Sequence, residues 1–139
     1  MAAFNKFNAF VENLAEKVHN LGSDTLKILL TNSAPSASNS VKSDLTEISA
    51  GSGYSAGGAT VTITSSAQSS GTYKLVGNDV VITASGGPIG PFRYAVIYND
   101  TSAADSLIGW WDYGSSITLA DGESLTIDLS ATDGILQLA

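Results

Sequence analysis

The sequence predicts a mainly β fold, an antiparallel β-sandwich or barrel of about eight short strands with one amphipathic helix at its N-terminus. Three observations lead there. From Thr25 onward apolar residues recur at every second position, the strand period. Glycine- and serine-rich turns cut the chain into short runs. No run after Thr60 is followed by a helix-period segment, which excludes an alternating βαβ architecture. The 139 residues, 43% of them hydrophobic, are enough for one domain with a core of its own.

The first element spans residues 1–22 and is read as a helix or arm. In "FNKFNAFVENLAEKVHNL" the residues Phe4, Phe7, Val11, Leu14, Val18 and Leu21 recur at alternating steps of three and four, with Phe10 widening the stripe. Gly22 stands where a left-handed C-terminal cap belongs, and Lys17 and His19 lie where a helix C-terminus favours positive charge. Phe4 and Phe7 are expected to dock on a partner, whereas Leu14, Val18 and Leu21, nearer the first strand, are expected in the core.

Residues 23–139 form the β-sandwich domain. Leu26, Ile28 and Leu30 make the first strand, and Val61 and Ile63 alternate with threonines in the next. Phe92, Tyr94, Val96 and Tyr98 form one face of a longer strand. Leu125, Ile127 and Leu129 form another, and Ile135 to Leu138 a last short one. Such alternation implies one buried face and one wet or contacted face. Gly77-Asn78 reads as a tight hairpin between two β-rich runs, and "ADGES" (Ala120 to Ser124) joins Ile117–Leu119 to Leu125–Leu129. The segment Asn32 to Ser40 reads as a surface loop. Ser49 to Gly58, rich in glycine, predicts positive φ angles and a loop that orders against a partner.

Composition excludes several classes. Only 14% of residues are charged, and 6 Lys+Arg against 13 Asp+Glu give a net charge of −7. Without clustered basic residues the surface does not suit nucleic acid. Cysteine is absent, so disulfides and thiolate metal sites are excluded. No apolar run reaches the length of a membrane span, and the N-terminus lacks the pattern of a secretory signal. The sequon Asn99-Asp100-Thr101 matters only in a secreted eukaryotic protein.

The motifs yield no catalytic, cofactor-binding or metal-binding residues. Gly53-Tyr54-Ser55-Ala56-Gly57 fits G-x-S-x-G, but a nucleophile elbow requires a buried strand before the serine and a helix after it. Here a polar stretch precedes and a strand pattern follows. The one histidine, His19, lies upstream in the helical segment and reads as a solvated cation, so Ser55 lacks a base. Asp100 with Asp105, and Asp121 with Glu123, read as solvated turn residues without calcium-loop spacing. Asp112 beside Trp110 and Trp111 would suit a carbohydrate site, yet no second carboxylate is indicated for glycoside chemistry. Strand alternation puts the two tryptophans on opposite faces, one in the core and the other exposed or an interface anchor. The interface candidates are therefore Phe4, Phe7, Val11, Tyr54 and Trp110.

The order of the blocks "NKFNAFVENLAEKVHNLGSDTLKILLTN", "EISAGSGYSAGG", "GPFRYAVIYNDT" and "LIGWWDYGSSITLADGES" resembles a group of small structural proteins of tailed bacteriophages and prophages. That resemblance implies a virion component without enzymatic activity. Its β-rich domain resembles capsid decoration (cement) proteins, which bind across capsid subunits and stabilise the shell, commonly as trimers. The expected partners are the major capsid protein and further copies of the chain, as a homotrimer, with neither nucleic acid nor membrane. The expected location is the capsid surface, after synthesis in the bacterial host cytoplasm. A tail, collar or fibre component and a carbohydrate-binding module are the competing expectations.

Overall fold

A computed structural model describes residues 2–139. The chain is mainly β and sandwich-like, with ten strands and one short α-helix among the described residues. In chain order these are β1 (Phe4–Lys6), α1 (Asn8–Ala15), β2 (Leu26–Thr31), β3 (Ala59–Thr60), β4 (Ile63–Ser69) and β5 (Thr72–Gly77). There follow β6 (Val80–Thr83), β7 (Ile89–Asn99), β8 (Leu107–Leu119), β9 (Ser124–Ile127) and β10 (Leu136–Leu138). A single turn of 3-10 helix, Lys42–Asp44, interrupts the long connection from β2 to β3.

A five-stranded sheet, ordered β1-β8-β7-β2-β3, forms the body, and every pairing in it is antiparallel. A three-stranded sheet, β10-β5-β4, and a two-stranded one, β6-β9, pack over one face. The main core lies between the layers, where Leu26, Ile28, Leu30, Phe92, Ala95, Ile97, Ile108 and Trp111 meet Leu75, Val80, Ile82, Ile127 and Leu136. The opposite face is also covered. There Phe7, Leu29, Val96, Tyr98 and Leu107 form a second cluster, closed by Leu45 and Trp110. Burial on both faces explains why Tyr94 to Asn99 are all buried, where alternation alone predicts one wet face.

Bulges also alter the expected faces. Phe92 sits in the main core with Ala95 and Ile97, not with Val96 and Tyr98, in a stretch where the β7–β8 register shifts on both sides of Phe92. An extra residue in a strand reverses the parity beyond it. A similar shift between Ile97 and Tyr98 lets Ile108 face the main core beside Trp111.

The N-terminal helix is shorter than its stripe predicts. Phe4–Lys6 pairs instead with the edge of β8, in the register Phe4 to Trp111 and Lys6 to Gly109. The Phe4 ring lies over Gly109, whose missing Cβ leaves room for it, and meets Trp111 edge-on at 5.4 Å. Ladder bonds and this aromatic contact outweigh helix periodicity here. The helix then stops at Ala15, well before Gly22. Lys17 takes the left-handed conformation at φ 70°, with Val18 N–H donating to Asn13 C=O (2.8 Å) and Lys17 N–H to Leu14 C=O (3.4 Å). That double closure is a Schellman motif built on lysine. Gly22 has no capping role.

Two turns also differ from expectation. Gly77-Asn78 does not close a hairpin: β5 pairs with β4 and β10, whereas β6 pairs with β9. The dipeptide makes a corner between sheets, where Asn78 N–H donates to Thr62 C=O and Asp79 accepts from Leu129 N–H. "ADGES" is a tight turn, with Gly122 at φ 91°, but the strands it joins pair elsewhere, β8 with β7 and β9 with β6. The tight hairpin is Ser70-Gly71, both at positive φ (51° and 84°), between β4 and β5.

Candidate functional site

The five interface candidates fall into two groups. Phe7 and Tyr54 are inside the chain. Phe7 is 0% exposed and packs tilted against Trp110, with ring centroids 4.6 Å apart and Leu29, Val96, Tyr98 and Leu107 around it. The segment crosses the sheet edge at this point, sending Phe7 to one face and Phe10 to the other. Phe7 therefore cannot be a docking side chain of the folded monomer. Tyr54 is likewise buried against β2. Phe4 and Trp110 are half-buried, and Val11 is 52% exposed on α1. Of the residues expected in the core, Leu21 is buried and Leu14 packs on the core, but Val18 is exposed.

Tyr54 anchors the glycine-rich loop. Its hydroxyl accepts from Leu30 N–H (3.0 Å) and donates to the Glu47 carboxylate (2.6 Å). Glu47 also accepts from Gly57 N–H (2.7 Å), and Gly57 C=O accepts from the Tyr98 hydroxyl (2.6 Å). Burial and the neighbouring carboxylate push the Tyr54 hydroxyl far above its ordinary range, which keeps it a donor to Glu47 at any physiological pH. The predicted positive φ values are present at Gly51, Gly53, Gly57 and Gly58. The expected need for a partner to order the loop is not met, because this buried network already fixes it. Ser55 lies in a turn that leads into β3, not on a strand-to-helix elbow.

His19 is the largest departure from the sequence reading. It is 4% exposed, tilted against the Phe10 ring at 5.4 Å, and its Nδ1 meets the Asn99 side-chain amide at 3.0 Å. The amide orientation of Asn99 is fixed from three sides. Its Nδ2 donates to Asp24 (2.7 Å), while its Oδ1 accepts from Thr101 N–H (2.9 Å) and Ser102 N–H (3.2 Å). Nδ1 of His19 must then be an acceptor, so the ring is neutral with its proton on Nε2, which has no hydrogen-bond partner among the described residues. Burial pulls the imidazole below its ordinary value, against the opposing pull of Asp24. The same contacts bury Asn99, the residue of the formal sequon.

Several other ionisable groups are tied into the fold. Arg93 donates to Asp112 through two nitrogens, at 2.8 and 3.1 Å, and Gly114 N–H donates to the same carboxylate at 2.7 Å. These donors hold the Asp112 carboxyl below the usual range. Asp44 is lowered by the N–H groups of Ser40 and Val41. Lys27 pairs with Asp100 at 3.6 Å. Among the described residues no group of three or more His, Asp or Glu is arranged to hold a metal ion. No helix among them is long and apolar enough to cross a membrane.

The exposed surface offers contact more than chemistry. Val11 is exposed on α1, and farther along a hydrogen bond to Glu12, together with that group's like charge, raises the Glu16 carboxyl. Val81 on β6, 58% exposed, is a further apolar point that the interface candidates omit. A groove of about 450 Å³ runs between the end of α1 and the β4–β5 hairpin, lined by Leu14, Lys17, His19, Ser66, Tyr73 and Leu138. No family model, curated protein or solved structure matches the chain.

Proposed function

We propose that this chain is a structural subunit of a tailed-phage particle, a capsid decoration (cement) protein that self-associates and binds across subunits of the major capsid protein. The observation that carries the reading is the use made of its polar chemistry. Glu47 and Tyr54 hold a loop, Asp112 clamps a strand and a turn, and Asn99 with Asp24 seats the N-terminal segment through His19. Groups that elsewhere act on substrates are here spent on a rigid body, which suits a protein whose work is to be bound. The sequence resemblance supplies the setting.

The mechanism is mechanical. Each copy buries surface on two or more shell subunits, and that interface free energy must be lost before the shell opens. Val11 with Glu12 and Glu16 is the contact patch this reading favours, and the net charge of −7 suits a basic shell surface. Co-sedimentation of the purified chain with capsids that lack it tests the proposal. Binding, with greater heat resistance of the shell and a loss of both on Val11→Asp, is expected. Failure to bind capsids, or attachment to isolated tails instead, overturns it.

A further inference from the structure

We propose that β4 is a seam between two copies of this chain, its free edge pairing antiparallel with β4 of a second copy across a two-fold axis. The strand is outermost in the order β10-β5-β4, so one row of its backbone N–H and C=O groups points outward. It is also the longest of the strands that end a sheet. β4 has seven residues, against three in β1 and β10, two in β3 and four in each strand of the β6–β9 pair.

Folded proteins guard exposed edges with lysine, proline or a bulge that twists the strand away. β1 carries Lys6. β4 has no charged residue and no proline, and its single irregularity lies at its start, between Ile63 and Ser65. From Thr64 to Ser69 every residue is exposed, with only the segment around Gly22 lying against Ser66. A strand held by one neighbour and largely exposed is marginal alone and gains most from a second neighbour.

Charge identifies the occupant. Two copies, each at −7, repel over most approaches, but residues 63–73 contain no charged side chain. This hairpin is where like copies meet at least cost, and a second copy supplies a strand of matching length and side-chain size. Pairing centred on Ser66 places Ser66 opposite its own copy and Ser65 opposite Ala67, small side chains that let the backbones approach. Such a contact is isologous and closes as a dimer, in contrast to the homotrimer that the resemblance implies.

Sedimentation equilibrium of the full chain and two variants tests the seam. Ala67 lies opposite Lys74 on β5, so Ala67→Glu gains a favourable neighbour within its own sheet and leaves the fold intact. Ser65→Glu/Ala67→Glu puts carboxylates face to face twice across the seam, and the dimer Kd should rise roughly tenfold. Ser65→Lys/Ala67→Glu makes the same two contacts attractive and should restore the dimer. A wild-type chain that is monomeric at millimolar concentration, one that is trimeric, or two variants that self-associate alike would each overturn the proposal.

Discussion

Phe7→Ala separates a core residue from a docking residue. The ring is fully buried, tilted against Trp110 and enclosed by Leu29, Val96, Tyr98 and Leu107. Returning such a side chain to water costs roughly 1.5–3 kcal/mol, and the cavity left behind raises the total to about 3–5 kcal/mol. Its walls come from the paired strands β2, β7 and β8, which cannot collapse inward without breaking ladder bonds, so the upper half of that range is expected. Loss of the aromatic pair lies within the same figure. Phe4→Ala, at a half-buried ring, should cost about half as much, and Val11→Ala on exposed α1 almost nothing. Urea unfolding of the three variants, at constant m-value, gives the differences directly. A loss below about 1 kcal/mol for Phe7→Ala, on a scale where core truncations cost several, would refute the packing described here.

Three other variants probe the backbone and the buried imidazole. Lys17→Gly relieves a left-handed lysine at the helix end and should stabilise the chain by about 1 kcal/mol, read from the shift in denaturant midpoint. Gly58→Ala should destabilise by about 3 kcal/mol or prevent folding, because φ is 84° and an added Cβ would overlap the Ile28 carbonyl. A preserved thermal transition in that variant would contradict the close approach of β3 to β2. For His19 the folded-state value lies below the unfolded value of 6.5, so the unfolded chain takes the proton first. Stability is full above pH 6.5 and falls as pH drops from there through the folded value. Asp24 is the charged group facing the ring and Asn99 the polar one, while α1 contributes the apolar Phe10. Subtracting the stability curve of His19→Gln should isolate this limb, and parallel curves would remove His19 from it.

The alternation of Leu26, Ile28 and Leu30 and the length of the Phe92–Tyr98 run were enough to read a β-rich sandwich. The opposite faces of Trp110 and Trp111 were legible for the same reason, since adjacent strand residues point apart. The N-terminal segment was misread because Phe4 and Phe7 fit a helix stripe as well as an edge strand, and only the free edge of β8 decides between them. Lys17 carries no local signal for a left-handed cap, so Gly22 takes that role in any sequence reading. His19 looked solvated because its partners, Asn99 and Phe10, are distant in sequence or out of register with the stripe. The edge of β4 is not legible in the sequence for a simpler reason. Its signal is the absence of charge and proline from a polar run, which means little until the strand is known to lie at an edge.

The central claim concerns where this fold works. The proposed place on a tailed-phage shell is tested most directly by a reconstruction of particles assembled with and without the chain. The account predicts density for the sandwich-like β body on the outer face of the capsid, bridging neighbouring shell subunits, with α1 and Val11 toward the shell. Density for the same body confined to the tail or collar, or its absence from purified particles, would contradict it.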